Sequence, residues 1–192
     1  MEGIIFIGLQ ASGKSTFYRE RFFDTHMRIS MDLLNTRNKE RQFIQACLKL
    51  QQRLVIDNTN PTVDERTRYI QDFKRYKFKA IGYYFRTNLE KSLHYNEKRM
   101  GKAKVNRFGI LSTHKRLQLP SFEEGFDELY YVSIEDKKFC QGVLHKVCQQ
   151  FWELRGDTFG PAPVEAGLGW SKRGGCPLGE GRHHRSSLRR SS

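Results

Sequence analysis

The chain predicts an α/β fold in which a parallel sheet of about five strands carries helices on both faces. Two observations carry that expectation. Short apolar runs alternate with stretches of helical periodicity along most of the 192 residues. The first run passes into its helix through a glycine-rich loop, Gly8-Leu9-Gln10-Ala11-Ser12-Gly13-Lys14-Ser15. The length suffices for one domain with a substantial core.

Strands are expected at Gly3–Gly8, Met27–Ser30, Leu54–Asp57, Ala80–Phe85 and Leu129–Val132. The first, Gly3-Ile4-Ile5-Phe6-Ile7, is apolar without alternation, as a strand buried on both faces should be. Helices are expected at Gly13–Phe23, Lys39–Leu50, Val63–Tyr76, Leu89–Met100 and Phe108–Leu117. Asn60-Pro61 ends the third strand. Thr62 is placed to cap the next helix, and Glu65 completes a capping-box pattern. A last helix is expected near Lys137–Leu154. There Phe139, Val143, Val147 and Phe151 form a stripe flanked by Cys140, Leu144 and Cys148. That face reads as core rather than as a cofactor site.

From residue 155 the composition changes. The segment 155–192 is rich in Gly, Pro, Ser and Arg and poor in large apolar side chains. Burial there cannot offset the entropy of ordering, so a disordered basic tail is expected after a folded domain at 1–154. The net charge is +13. A basic domain attracts polyanions, but a solvated basic surface plus the cations of a phosphate site would give the same sum. Cys47, Cys140, Cys148 and Cys176 form no C-x-x-C pair and no metal-ligand spacing, and they read as reduced thiols. No apolar stretch is long enough to span a bilayer, and the chain opens directly on a strand rather than on a leader. The expected location is cytoplasmic, without a membrane partner.

The loop fits G-x-x-x-x-G-K-[ST], the phosphate-binding P-loop, and lies between a strand and a helix as that motif requires. Backbone N–H groups of such a loop, at a helix N-terminus, wrap the phosphates of a nucleotide. The expected nucleotide-binding residues are Gly8, Gln10, Ala11, Ser12, Gly13, Lys14, Ser15 and Thr16. Lys14 would reach the β- and γ-phosphates, and the Ser15 hydroxyl would hold Mg²⁺. The strand Leu54-Val55-Ile56 ends in Asp57 and resembles a Walker B element, whose carboxylate holds Mg²⁺ or a water bound to it. ATP and Mg²⁺ are therefore the expected cofactors, with Ser15 and Asp57 at the metal.

Ile56-Asp57-Asn58-Thr59-Asn60-Pro61, followed by Arg66 and Arg68-Tyr69-Ile70, closely resembles the kinase domain of polynucleotide 5′-hydroxyl kinases. Tyr84-Phe85-Arg86-Thr87-Asn88-Leu89-Glu90, with His94, Asn96 and Arg99, is similar to the same family. So are Gly101-Lys102-Ala103-Lys104-Val105, Pro120 and Glu124-Gly125-Phe126-Asp127-Glu128. The resemblance spans about Gly3 to Val132. It implies a P-loop NTPase kinase-type three-layer fold and a stand-alone kinase domain. It also implies ATP- and Mg²⁺-dependent transfer of the γ-phosphoryl to a hydroxyl, foremost the 5′-hydroxyl of a polynucleotide. Single-stranded nucleic-acid ends are then a partner besides ATP.

Three assignments follow from the resemblance, beside the role of Lys14. Asp32, in Ile29-Ser30-Met31-Asp32, stands where the family has the base for the attacking hydroxyl. Arg99 matches a lid arginine that presses on the transferring phosphoryl group. Lys102 and Lys104 lie on the same lid, about residues 98–112, and Lys102 is placed with the nucleotide-binding set. The stretch Lys98–Arg107 holds five Lys or Arg and no acid. A closing basic lid excludes water, which would compete as nucleophile.

Two positions depart from the family pattern: Met31 stands where an arginine or other polar residue is common, and Asn106 where a proline is common. Two alternatives stay open. One is a small-molecule kinase acting on a nucleoside or a sugar. The other is an ATP-binding NTPase switch without a kinase substrate.

Overall fold

A computed structural model of the chain describes residues 1–101, 104–135 and 138–143. Its sheet has six strands, β1 (Glu2–Ile7), β2 (Met27–Ile29), β3 (Leu54–Ile56), β4 (Lys79–Phe85), β5 (Glu128–Glu135) and β6 (Lys138–Val143). Their order across the sheet is β2-β3-β1-β4-β5-β6. The first five pair in parallel, with Ile4 opposite Val55 of β3 and Ile81 of β4. The helices are α1 (Lys14–Arg21), α2 (Met31–Leu34), α3 (Arg37–Lys49), α4 (Val63–Arg75), α5 (Leu89–Glu97) and α6 (Arg107–Arg116). The five strands and five helices expected through residue 132 are present with small shifts at their ends; α5, for example, stops at Glu97 rather than Met100. The four-residue α2 was not anticipated.

The three layers follow from the pleat. Successive residues of β1 point to opposite faces. Ile4 and Phe6 pack with Phe17 and Tyr18 of α1, while Ile5 and Ile7 pack with Ile44 and Leu48 of α3 and with Ile70 and Phe73 of α4. Both faces of the central strand are therefore buried, which is why its sequence is apolar throughout. Each such side chain contributes about 1.5–3 kcal/mol by leaving water.

The expected helix at Lys137–Leu154 is corrected over its first part. Residues 138–143 form β6, antiparallel to β5, with Ile134 opposite Phe139 and Val132 opposite Gln141. Phe139 reaches the Phe17 ring of α1, 5.1 Å between centroids. The open edge of β5 supplies a hydrogen-bonding template that helical spacing cannot reveal. Residues 144–154, the tail at 155–192, and Cys148 and Cys176 lie outside the described residues. Cys47 is a buried free thiol. No helix among the described residues is long and apolar enough to cross a membrane.

Arg66 of α4 is wholly buried and joins three segments. Its Nε and Nη2 donate to the two carboxylate oxygens of Glu124, each at 2.7 Å. Its Nη1 donates to the carbonyls of Asn60, Pro61 and Gln118 at 3.0–3.1 Å. A planar guanidinium suits this task because its donors are fixed in a fork. The loop that follows β3 is thereby fastened to the chain that follows α6.

Candidate active site

The P-loop lies at the carboxyl end of β1, where α/β sheets bind ligands. Its entry is tied to the loop after β3. Gly8 N–H donates to the Thr59 carbonyl at 3.0 Å, and Asn60 Nδ2 donates to the Phe6 carbonyl at 2.7 Å. Gly13, just before α1, has φ of 92°. A Cβ there would stand 2.8 Å from Ile134 Cδ1, the movable tip of a side chain, so it is the backbone angle that demands glycine. Ala11 takes a left-handed φ of 59° with a side chain present.

Lys14 is buried, and its ammonium donates to the carbonyls of Gly8 and Leu9 and to Ser12 Oγ. Burial lowers its pKa to about 8. Asp57 opposes that fall most strongly, Arg99 adds to it, and Asp32 opposes it. One ammonium thus feels both aspartates and Arg99. These expected site residues share a single electrostatic neighbourhood, although they come from the ends of different elements.

Ser15 Oγ donates to Asp57 Oδ2 at 2.9 Å. The residues expected at the metal are therefore in contact. Hard oxygen donors suit Mg²⁺, and an octahedron with radii of about 2.0–2.1 Å has edges of about 2.9 Å. The pair fits one such edge. No group of three or more His, Cys, Asp or Glu with metal-ligand geometry occurs among the described residues. A cation here would take its other oxygens from phosphates and water.

Sequence reasoning missed Arg28. Its Nη2 lies 2.6 Å from Asp57 Oδ2 and 3.1 Å from Ser15 Oγ, and its Nε donates to the same Asp57 oxygen at 2.8 Å. The guanidinium lies 5.8 Å from the centre of the Tyr18 ring. A charged residue inside the run Met27-Arg28-Ile29, next to the Asp57 strand, was the available signal.

Asp32 is exposed near the start of α2. Ser30 Oγ accepts the Asp32 N–H at 3.3 Å, so this aspartate follows a serine cap. Asn58 Oδ1 accepts the Met31 N–H at 2.9 Å, and Asn58 Nδ2 donates to Glu40 Oε1 at 2.6 Å. Glu40 is buried and also accepts from Arg37 Nη1 at 2.8 Å and the Tyr69 hydroxyl at 3.1 Å. Burial, and then the Glu40 carboxylate, push the Tyr69 phenol up to about 12. Asn58 thus spans from α2 to the buried Glu40 carboxylate, whose partner Arg37 is exposed, and neither Asn58 nor Glu40 had been assigned to the site.

The segment expected as a lid begins where α5 ends. Asn96 brackets it, with Nδ2 donating to the Val105 carbonyl at 2.7 Å and Oδ1 accepting the Val105 N–H at 2.9 Å. Arg99 is half-buried, and its N–H donates to the Asn96 carbonyl at 3.1 Å. Lys104 is exposed, and Lys102 lies outside the described residues. Gln10 of the P-loop donates through Nε2 to Thr113 Oγ1 of α6 at 2.9 Å, a link not foreseen for either residue. Thr16 is exposed on the first turn of α1. Tyr69 and Tyr76 pack at the core margin, whereas Tyr95 is exposed.

Residues 4–120 match the family described as an AAA domain. The chain is 28% identical to the bifunctional polynucleotide phosphatase/kinase of Schizosaccharomyces pombe, over 65% of its own length and 32% of the relative's. It thus spans about a third of that protein. Among solved structures, the PezAT toxin–antitoxin system of Streptococcus pneumoniae superposes with a TM-score of 0.55 at 16% identity, covering 82% of this chain and 80% of that one. Chaetomium thermophilum Kti12 in complex with ADP-AlF3 gives 0.52 at 18%, covering 80% and 97%. A gluconokinase from Sinorhizobium meliloti 1021 gives 0.50 at 12%, covering 70% and 83%. These likenesses establish the P-loop kinase type of fold.

Proposed function

The chain belongs to the AAA-domain family of P-loop kinase-like proteins, and from that premise we propose an ATP- and Mg²⁺-dependent kinase acting on a hydroxyl, with a polynucleotide 5′-hydroxyl as the preferred acceptor. The observation that carries the reading is the set of charges around Lys14: Asp57, Arg99 and Asp32 all act on one buried ammonium at the strand ends.

Phosphoryl transfer asks a protein for positioning and charge neutralisation more than for covalent chemistry. Backbone N–H groups of the loop from Gly8 to Thr16 cradle the triphosphate, and Lys14 moves onto its β- and γ-oxygens. Ser15 and Asp57 would hold Mg²⁺, which would supply charge neutralisation at the phosphates. Asp32 accepts the proton of the attacking hydroxyl. The new O–P bond forms as the bond from the γ-phosphorus to its bridging oxygen breaks, and ADP leaves. Arg99 stabilises the charge on the phosphoryl group in flight, and Lys102 and Lys104 add positive potential to the lid. Single-stranded nucleic-acid ends enter from the Asp32 side. The 28% identity to the polynucleotide phosphatase/kinase supports this choice of acceptor.

The test is transfer of label from γ-labelled ATP to 5′-hydroxyl oligonucleotides, nucleosides and sugars. Asp32→Asn should slow transfer by about 10²–10⁴-fold and leave nucleotide affinity unchanged. No labelling of any oligonucleotide, together with identical behaviour of wild type and Asp32→Asn, would remove the reading. A small-molecule acceptor is the second reading, favoured by Met31 where an arginine would grip an acceptor phosphate. Binding of single-stranded DNA that falls steeply with salt distinguishes the first from the second.

A further inference from the structure

Arg28 holds the two oxygens that a cation would span. Its Nη2 lies 2.6 Å from Asp57 Oδ2 and 3.1 Å from Ser15 Oγ, and those oxygens are 2.9 Å apart. The nitrogen therefore caps the same edge that suits octahedral Mg²⁺. The Nε donor falls on that same Asp57 oxygen at 2.8 Å, so the guanidinium approaches through two nitrogens at once. The Asp57 side chain is 1% exposed, and a buried carboxylate needs a counter-charge. Arg28 provides it from a side chain that remains 26% exposed and so has room to leave.

We propose that Arg28 is the resident occupant of the cation position, which a divalent ion must displace in order to bind Ser15 and Asp57. The inference rests on the kinase reading for the presence of a metal, but not on which hydroxyl is phosphorylated. A divalent ion and a guanidinium cannot share one oxygen edge, because both need the same lone pairs and they repel each other at that distance. Metal entry is then an exchange of counter-ions at Asp57. Without metal, Arg28 keeps the carboxylate neutralised and the loop after β3 in register with the P-loop. With metal, the guanidinium gives up its bonds to Asp57 and Ser15.

Two measurements on the full chain with ADP present test this. The first is the affinity for Mn²⁺, read by its electron-spin signal. Arg28→Met removes the competitor, so Mn²⁺ should bind about tenfold tighter, the size expected for loss of a charge-assisted pair. Arg28→Lys should fall between, and serves if Arg28→Met does not fold. The second is the Arg28 Nε–H resonance of the wild-type protein during Mg²⁺ titration. It should shift in step with metal binding as the Asp57 hydrogen bond breaks. Equal or weaker Mn²⁺ binding in the variants, or an Nε–H signal unmoved while metal binds, overturns the proposal and leaves the kinase reading intact. If wild type and both variants bind no Mn²⁺ with ADP present, the proposal and the metal-dependent reading both fail.

Discussion

Gln10 in the P-loop donates to Thr113 on α6 at 2.9 Å, joining that loop to a helix about a hundred residues further along the chain. Thr113 Oγ1 in turn donates to the Gly109 carbonyl at 2.8 Å. Gln10 Oε1 is buried with no hydrogen-bond partner. The link is therefore a polar contact already desolvated on one side. Thr113→Val keeps the shape but strands the Gln10 amide, and should cost about 1–3 kcal/mol. Pairing it with Gln10→Leu removes both polar groups and should recover most of that loss. Urea denaturation of the two single variants and the double variant checks the cycle, and additive losses would show that the contact carries no coupling.

Arg66 and Glu124 form the most buried ion pair described in the chain, at 0% and 3% exposure. Arg66→Met leaves a buried carboxylate and the carbonyls of Asn60, Pro61 and Gln118 without their donors. The expected loss is about 3–5 kcal/mol. Adding Glu124→Leu should return part of it, since an apolar pair no longer strands a charge. Thermal unfolding of the three proteins measures this. Nucleotide affinity should fall in Arg66→Met, because the loop that holds Gly8 loses its anchor.

The elements that were legible before the structure are those specified by local signals. β1 and α1 announce themselves by an apolar run, glycines at fixed spacing and Lys14-Ser15, all within about twenty residues. β6 did not, because Phe139, Val143 and their neighbours fit helical spacing, while the strand exists through pairing with β5. α2 is too short for periodicity and is fixed from outside by Asn58. Arg28, Glu40 and Thr113 were missed for one reason. Their site contacts cross 13 to 103 positions of sequence, and no spacing rule pairs residues at such separations.

Lys14 gives the site a pH dependence. Its folded pKa of about 8 lies below the ordinary 10.5, with burial the largest cause. Between about pH 8 and 10.5 the unfolded chain holds this proton and the folded chain does not, so the Lys14 contribution to stability rises with pH there. Phosphate oxygens on the ammonium would reverse the shift. Nucleotide binding near pH 8.5 should then take up a proton, and affinity should decline as pH climbs past 8. Calorimetry of ADP binding in buffers of different ionisation enthalpy reads the uptake. Lys14→Met should abolish it, and an uptake that persists in that variant would assign the proton elsewhere.

Asn58 offers the sharpest separation of positioning from binding. Its amide faces two ways, with Oδ1 accepting the Met31 N–H and Nδ2 donating to Glu40. Asn58→Asp keeps the acceptor but sets a second carboxylate against Glu40, whose oxygen lies 2.6 Å from the present amide nitrogen. Two ionised carboxylates repel at that distance, so α2 and Asp32 with it should shift. A displacement near 1 Å costs about 10²-fold in rate. The loss should fall on kcat, because the P-loop is untouched and KM for ATP depends on it. Lower pH should relieve the defect, since one carboxyl then holds a proton and donates to the other. Adding Glu40→Gln should also relieve it, because the new amide donates across the same gap. A steady-state series over these variants and pH values distinguishes this from a loss of fold, which would lower the amount of active protein and respond to neither rescue.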